Sequence, residues 1–146
     1  MASIEQVAYG IVVAIKEDEW KFLILLQDET FVNWSFPKGK TEKGETVPLD
    51  IAMRELGEET GITVIDILDC PLMEEEYRYE KRGDTYHRTN KYFLGVVKDK
   101  SVKIQEGEII EYKWATYKEA SETFVFKKES RVEILQQAQE YLNMLK

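Results

Sequence analysis

Residues 39–62 read Gly39-Lys-Thr-Glu-Lys-Gly44-Glu45-Thr-Val-Pro48-Leu-Asp-Ile-Ala-Met-Arg54-Glu55-Leu-Gly-Glu58-Glu59-Thr-Gly61-Ile62. Pro48 suits the first turn of a helix, where its missing N–H would have no intrahelical partner anyway. Gly61 suits the residue just past the last turn, where a left-handed backbone is cheap for glycine. The stretch therefore predicts a loop punctuated by Gly39 and Gly44 that runs into one short helix between Pro48 and Gly61. At 100° per residue, Leu49, Ala52, Met53, Leu56 and Thr60 fall on one mostly apolar stripe. Glu55, Glu58 and Glu59 are spaced i, i+3, i+4 and share a neighbouring face. Like charges that close repel one another, so an ordered face needs something that offsets the repulsion. A hard divalent cation would do so, because Mg²⁺ and Mn²⁺ take carboxylate oxygens. Arg54, four residues before Glu58, can hold one carboxylate in place. The plain alternative is a solvated acidic helix face.

The loop before the helix bears on that choice. Gly39, Glu45, Arg54, Glu55, Leu56, Glu58, Glu59, Gly61 and Ile62 together resemble the Nudix box of pyrophosphohydrolases that act on nucleoside diphosphates linked to another moiety. Eight residues, Thr46 to Met53, separate Glu45 from Arg54, one more than the family's usual spacing. The extra residue is expected near Val47, at the junction of loop and helix, which leaves the spacing inside the helix intact. The resemblance implies an α/β fold of Nudix type: an α/β/α sandwich around a mixed β-sheet, with residues 1–146 as a single domain.

Working outward on the N-terminal side, Trp34-Ser-Phe-Pro37-Lys38-Gly39 leads directly into the box. Pro37 forces Phe36 to be extended and gives up a backbone donor. Trp34 is read either as a core aromatic or as a ring that stacks on a base, and Lys38 either as a solvated cation or as a phosphate contact. The segment also resembles the entry to the box in asymmetric diadenosine tetraphosphate hydrolases, and related wording occurs in RNA 5′-pyrophosphohydrolases. Further back, Gln6–Lys16 and Lys21–Gln27 are apolar runs that read as two buried strands of a hairpin, turned at Glu17–Glu19.

After the box, Thr63–Leu68 is expected to be a strand. Glu74–Lys81 and Thr85–Lys98 read as a long hairpin turned at Arg82-Gly83-Asp84. In it Tyr77, Tyr79, Tyr86 and Tyr92 alternate with Arg78, Lys81, Arg88 and Lys91. Aromatics interleaved with cations suit base stacking and phosphate pairing, and the plain alternative is a set of cross-strand Tyr–Arg pairs. By resemblance to the tetraphosphate hydrolases, Arg88 and Tyr92 are expected to face a nucleotide. His87 is the only histidine, so a site here has to work on carboxylates. The resemblance also implies a fourth carboxylate on a loop ahead of a strand ending in Tyr112-Lys113-Trp114. Glu108 is preferred, with Glu111 and Glu106 as fallbacks. Short and long helices over Tyr117–Phe124 and Lys128–Leu145 complete the chain. Val132, Leu135, Ala138, Leu142 and Leu145 are at helical spacing and are expected to pack on the sheet.

Composition narrows the partners. With 20 basic and 28 acidic residues the net charge is −8, which disfavours DNA and long RNA, since non-specific binding neutralises phosphates with Lys and Arg. A phosphate-rich small ligand arriving with metal ions is compatible with it. Cys70 is the only cysteine, so neither a disulfide framework nor a thiolate metal site is expected. No apolar run approaches the ~18 residues of a membrane span, and the N-terminus lacks the pattern of a secretory signal. A cytoplasmic protein is expected, either monomer or homodimer.

What the resemblance implies for chemistry is a metal-dependent hydrolase. Glu55, Glu58, Glu59 and Glu108, with the Gly39 carbonyl, are the expected ligands of Mg²⁺ or Mn²⁺; Glu55 and Glu108 compete for the role of general base. Arg54 supports the carboxylates. Trp34, Lys38, Tyr79, Arg88 and Tyr92 are the expected substrate contacts. The expected substrate is a dinucleoside polyphosphate, diadenosine tetraphosphate cleaved to ATP and AMP. An RNA 5′-pyrophosphohydrolase, a (d)NTP pyrophosphatase and a non-catalytic nucleotide-binding regulator are the alternatives.

Overall fold

The computed structural model describes residues 3–29 and 31–145. Its strands are β1 (Ile4–Lys16), β2 (Trp20–Asp28), β3 (Val32–Ser35), β4 (Lys38–Lys40), β5 (Asp66–Ile67), β6 (Met73–Lys81), β7 (Asp84–Val96) and β8 (Ile109–Thr116). Its helices are α1 (Pro48–Thr60), α2 (Tyr117–Thr123) and α3 (Lys128–Asn143). The strands form one mixed sheet along the path β3-β2-β1-β7-β5, with β8 on β2, β4 on β1 and β6 on β7. Only β1 and β7 run parallel, and they stay in register from Ile4↔Tyr86 to Ala14↔Val96.

Both faces of the sheet are covered, so β1 is apolar on both. Val12 and Ala14 point to the side closed by α2 and α3, among Phe22, Leu94, Ile134 and Leu135. Ile11, Val13 and Ile15 point to the side closed by α1, against Ala52 and Leu56. The period of two in a strand produces this division, and the result is the α/β/α sandwich expected.

β1 also changes partner along its length. Residues 8–10 pair with β4, and residues 14–16 pair with β2. Between them Ile11 donates its N–H to the Pro37 carbonyl at 3.1 Å. The fork seats Lys38 and Gly39 at one end of the sheet, where they meet α1.

Two expectations on elements need correction. Of Thr63–Leu68 only Asp66–Ile67 is strand, paired with Val96 and Gly95. The rest is loop, and in it Ile65 covers Gly95, where a Cβ would lie 2.6 Å from the isoleucine methyl. On α3 the inward stripe is Arg131, Ile134, Leu135, Ala138 and Leu142; Leu145 lies beyond the helix and is exposed. No helix among the described residues is long and apolar enough to cross a membrane.

Candidate active site

The loop of residues 41–47 and helix α1 build the site. Gly44 has a left-handed φ of 90°, which lets the loop reverse. Its two sides are then joined reciprocally: Glu42 N–H donates to Glu45 Oε1 at 2.7 Å, and Glu45 N–H donates to the Glu42 carbonyl at 3.1 Å. Val47 forms the junction of loop and helix. Val47 is extended and exposed, and its carbonyl accepts the first helical bond from Ile51 at 3.1 Å. Glu45 therefore still reaches Arg54 with both oxygens, at 2.7 and 2.8 Å. At the other end Gly61 has φ 75° and closes α1 by donating to Gly57 at 2.9 Å.

Arg54 is the hub of the cluster. Besides Glu45, its Nη1 lies 2.8 Å from Glu55, 3.1 Å from Glu58 and 3.3 Å from Glu42. One fork thereby fixes the orientation of several carboxylates through charge-assisted bonds. Carboxylate oxygens of Glu42, Glu55 and Glu58 lie within 4.8 Å of one another. Gly39 makes room for them: a Cβ there would sit 1.9 Å from the Glu55 carboxyl carbon. Burial raises the Glu55 carboxyl above its ordinary range, the charges of Glu58 and Glu108 add to that, and Arg54 opposes it. Glu59 is buried, and burial pushes it well above that range, against the pull of Lys38. Its Oε1 accepts the Lys38 backbone N–H at 3.0 Å. An all-oxygen donor set fits a hard divalent cation and offers no thiolate or imidazole ligand.

A cleft of about 690 Å³ opens over this cluster. Glu55, Glu58, Glu59 and Glu108 line it together with Lys38, Arg88 and residues of the β6–β7 hairpin. The hairpin turns through Arg82 and Gly83, both left-handed (φ 53° and 83°), as a two-residue turn matching strand twist requires. At its tip the rings of Tyr79 and Tyr86 stack, 5.0 Å apart and 15° from parallel. Tyr79 OH donates to Gln6 Oε1 at 2.6 Å, and Arg88 Nε donates to the same oxygen at 3.1 Å.

Most of the expected site residues thus line one cleft; Arg54 reaches it only through the carboxylates that it holds, and two others lie elsewhere. Tyr92 is fully buried in the core, where its hydroxyl donates to Glu75 at 3.1 Å, so it has no surface to offer a nucleotide. Trp34 lies on β3 in a separate apolar groove with Phe31, Val125 and Phe126, and Lys113 Nζ sits 5.6 Å from its ring centroid. Stacking of a base on Trp34 therefore does not occur in the carboxylate cleft. Lys38 does line the cleft, but its Nζ is held by Glu29 at 2.6 Å and Gln27 at 3.3 Å. Among the loop carboxylates Glu108 lines the cleft.

Two acidic residues went unread in the sequence. Glu42 sits inside the glycine loop, three before Glu45, and that position was the available signal. Glu29 follows β2 in an acidic turn that looks like any solvated one. By itself burial would raise its carboxyl; the cations of Lys38, Arg88 and Arg131 more than offset this and hold it below the usual range.

The fold agrees with what comparison finds. The family profile of the NUDIX domain matches residues 5–136. The chain belongs to that family: it is a Nudix hydrolase, an enzyme class acting on nucleoside diphosphate derivatives and generally using divalent metal ions. Among solved structures it is similar to a C. elegans Ap4A hydrolase binary complex, at 24% identity and TM-score 0.76, covering 96% of this chain and 99% of that one. It is similar to the E. coli dihydroneopterin triphosphate pyrophosphohydrolase at 18% identity and TM-score 0.71, over 95% and 99% of the two chains. The NUDIX domain of Shewanella oneidensis NrtR, complexed with ADP ribose, matches at 17% identity and TM-score 0.70, over 97% and 90%. No curated protein matches the chain significantly.

Proposed function

We propose that the chain is a Mg²⁺-dependent pyrophosphohydrolase, with Mn²⁺ as a working substitute, that cleaves dinucleoside polyphosphates and converts diadenosine tetraphosphate to ATP and AMP. The observation that carries this reading is that one cleft is lined both by the glutamate cluster and by Lys38, Arg88 and the stacked rings of Tyr79 and Tyr86. A polyphosphate cannot approach the acidic wall unaided, and divalent ions held there would neutralise the phosphoryl oxygens and lower the pKa of bound water.

The chain's own residues do the rest. Glu42, Glu55 and Glu58 offer the closest set of oxygens, with Glu59 and Glu108 on the same wall. Arg54 keeps these carboxylates aimed. Glu55 or Glu108 accepts the proton of the attacking water. Lys38 and Arg88 receive phosphoryl oxygens of the part of the substrate remote from the attack, and Tyr79 with Tyr86 offers a flat face to a base.

The test is a panel of diadenosine tetraphosphate, nucleoside triphosphates, ADP-ribose and 5′-triphosphorylated RNA, each with Mg²⁺ and with Mn²⁺, the products separated by anion exchange. Equal amounts of ATP and AMP from the first, at a higher kcat/KM than any other compound, are expected. Faster cleavage of another member of the panel would replace this substrate.

A further inference from the structure

Lys38, one of the cations that line the cleft, is already paired with an anion of the chain itself. The Lys38 side chain is only 1% exposed, and its Nζ is 2.6 Å from Glu29 Oε1. The Glu29 side chain is 28% exposed and lines the same cleft as Lys38 and Arg88. Arg88 is buried too, and among the described residues its side chain bonds only through Nε, to Gln6. Its terminal guanidinium nitrogens make no hydrogen bond to the described residues. Carboxylate and phosphoryl oxygens are the same kind of partner to such donors: anionic acceptors matched by a lysine point charge and an arginine fork.

We propose that the Glu29 carboxylate stands, in the ligand-free protein, where Lys38 would receive a phosphoryl group, so that Glu29 is a specificity-determining residue which substrate must displace. The partial exposure of the Glu29 side chain gives its carboxylate a route into solvent. Ligands that bring enough charge to Lys38 replace the carboxylate; ligands without a phosphoryl group at that position leave it in place. The Glu29 carboxylate also lies in a field set by several cations rather than by Lys38 alone, as a phosphate site would. The inference rests on reading the cleft as a polyphosphate site.

Glu29→Gln separates this role from mere support of Lys38, because the two predict opposite signs of binding. Either way the variant should melt at lower temperature without ligand, since Lys38 keeps a buried charge with no anionic partner. If Glu29 competes with substrate, the variant binds a non-hydrolysable methylene-bridged diadenosine tetraphosphate, with Mg²⁺ present, about tenfold more tightly in calorimetry. KM for the natural compound falls by a similar factor while kcat is unchanged. Unchanged or weaker binding overturns the proposal. Should Glu29→Gln fail to fold, Glu29→Asp takes its place: a carboxylate one methylene shorter holds Lys38 less well, so a smaller tightening is expected and its absence is equally decisive. A wild-type protein that neither binds nor cleaves any polyphosphate overturns the reading of the cleft itself. That result differs from a wild type that binds with an affinity the substitution leaves unmoved.

Discussion

At the scale of single residues, the site depends on what Gly39 lacks. Its missing Cβ leaves the space that the Glu55 carboxyl fills. Gly39→Ala would clash with the end of a flexible side chain, so the fold absorbs the change by moving Glu55 out of the cluster. Mn²⁺ titration followed by electron paramagnetic resonance should show affinity reduced about tenfold or more, with little change in melting temperature. Glu58 is the complementary case. Its side chain is 47% exposed and bonds only to Arg54 among the described residues. Glu58→Gln should lower kcat/KM about 10²-fold, while metal-free stability in urea stays equal or rises slightly because one like charge is gone. Unchanged kinetics would remove Glu58 from the site. Pairs and clusters of this kind were legible in the sequence wherever spacing on one helix defines them. Tyr92 was misread because side-chain chemistry was weighed above period. Counting back by twos from the core residue Leu94 gives Tyr92, Asn90 and Arg88, all buried on one face. That face passes from core to cleft along its length, and only Arg88 lies at the cleft end.

At the scale of elements, α3 is fastened to the sheet by a buried charge as well as by its apolar stripe. Arg131 Nε bonds both Glu75 oxygens, at 3.1 and 3.3 Å, and Nη1 bonds Asn33 Oδ1 at 2.8 Å and the Trp34 carbonyl at 2.5 Å. Asn90 and Tyr92 donate to the same carboxylate from β7. The network thus ties β3, β6, β7 and α3 behind the cleft. Helix α3 itself was legible from its period, whereas the ion pair joins residues 56 apart in the chain and no local pattern announces it. Arg131→Met keeps the bulk and helix propensity but leaves Glu75 charged and buried without a cation. A loss of roughly 3–5 kcal/mol is expected in urea denaturation, with the box helix and its metal affinity intact in whatever fraction folds. A loss below about 1 kcal/mol would mean that the ion pair does not fasten α3 to the sheet.

At the scale of the whole molecule, the balance of charge would couple folding to any divalent ion that the cleft holds. The chain carries eight more acidic than basic residues, and several of the acids crowd one wall of one cleft. That crowding exists only in the folded chain, because residues 42, 55, 58 and 108 are brought together by the loop, by α1 and by the approach to β8. The part built from contiguous residues 39–62 was readable before any fold was known. Glu29 was not, since its meaning comes from the fork that sets β4 beside β1 and delivers Lys38 to it. A divalent ion that binds this wall binds the native state and has no comparable site in the unfolded chain. At a free concentration of 100 times Kd it adds about 2.7 kcal/mol to the unfolding free energy. For a chain of this length that corresponds to a rise of roughly 5–10 °C in melting temperature. Mg²⁺ and Mn²⁺ should both produce it, saturably, over the chelator-treated protein; K⁺ at equal ionic strength should not, because general screening lacks the ligand geometry. Glu58→Gln should shrink the shift without lowering the starting temperature. A melting temperature that ignores both divalent ions up to millimolar concentrations would mean that the glutamate wall is stabilised by Arg54 alone and is no metal site.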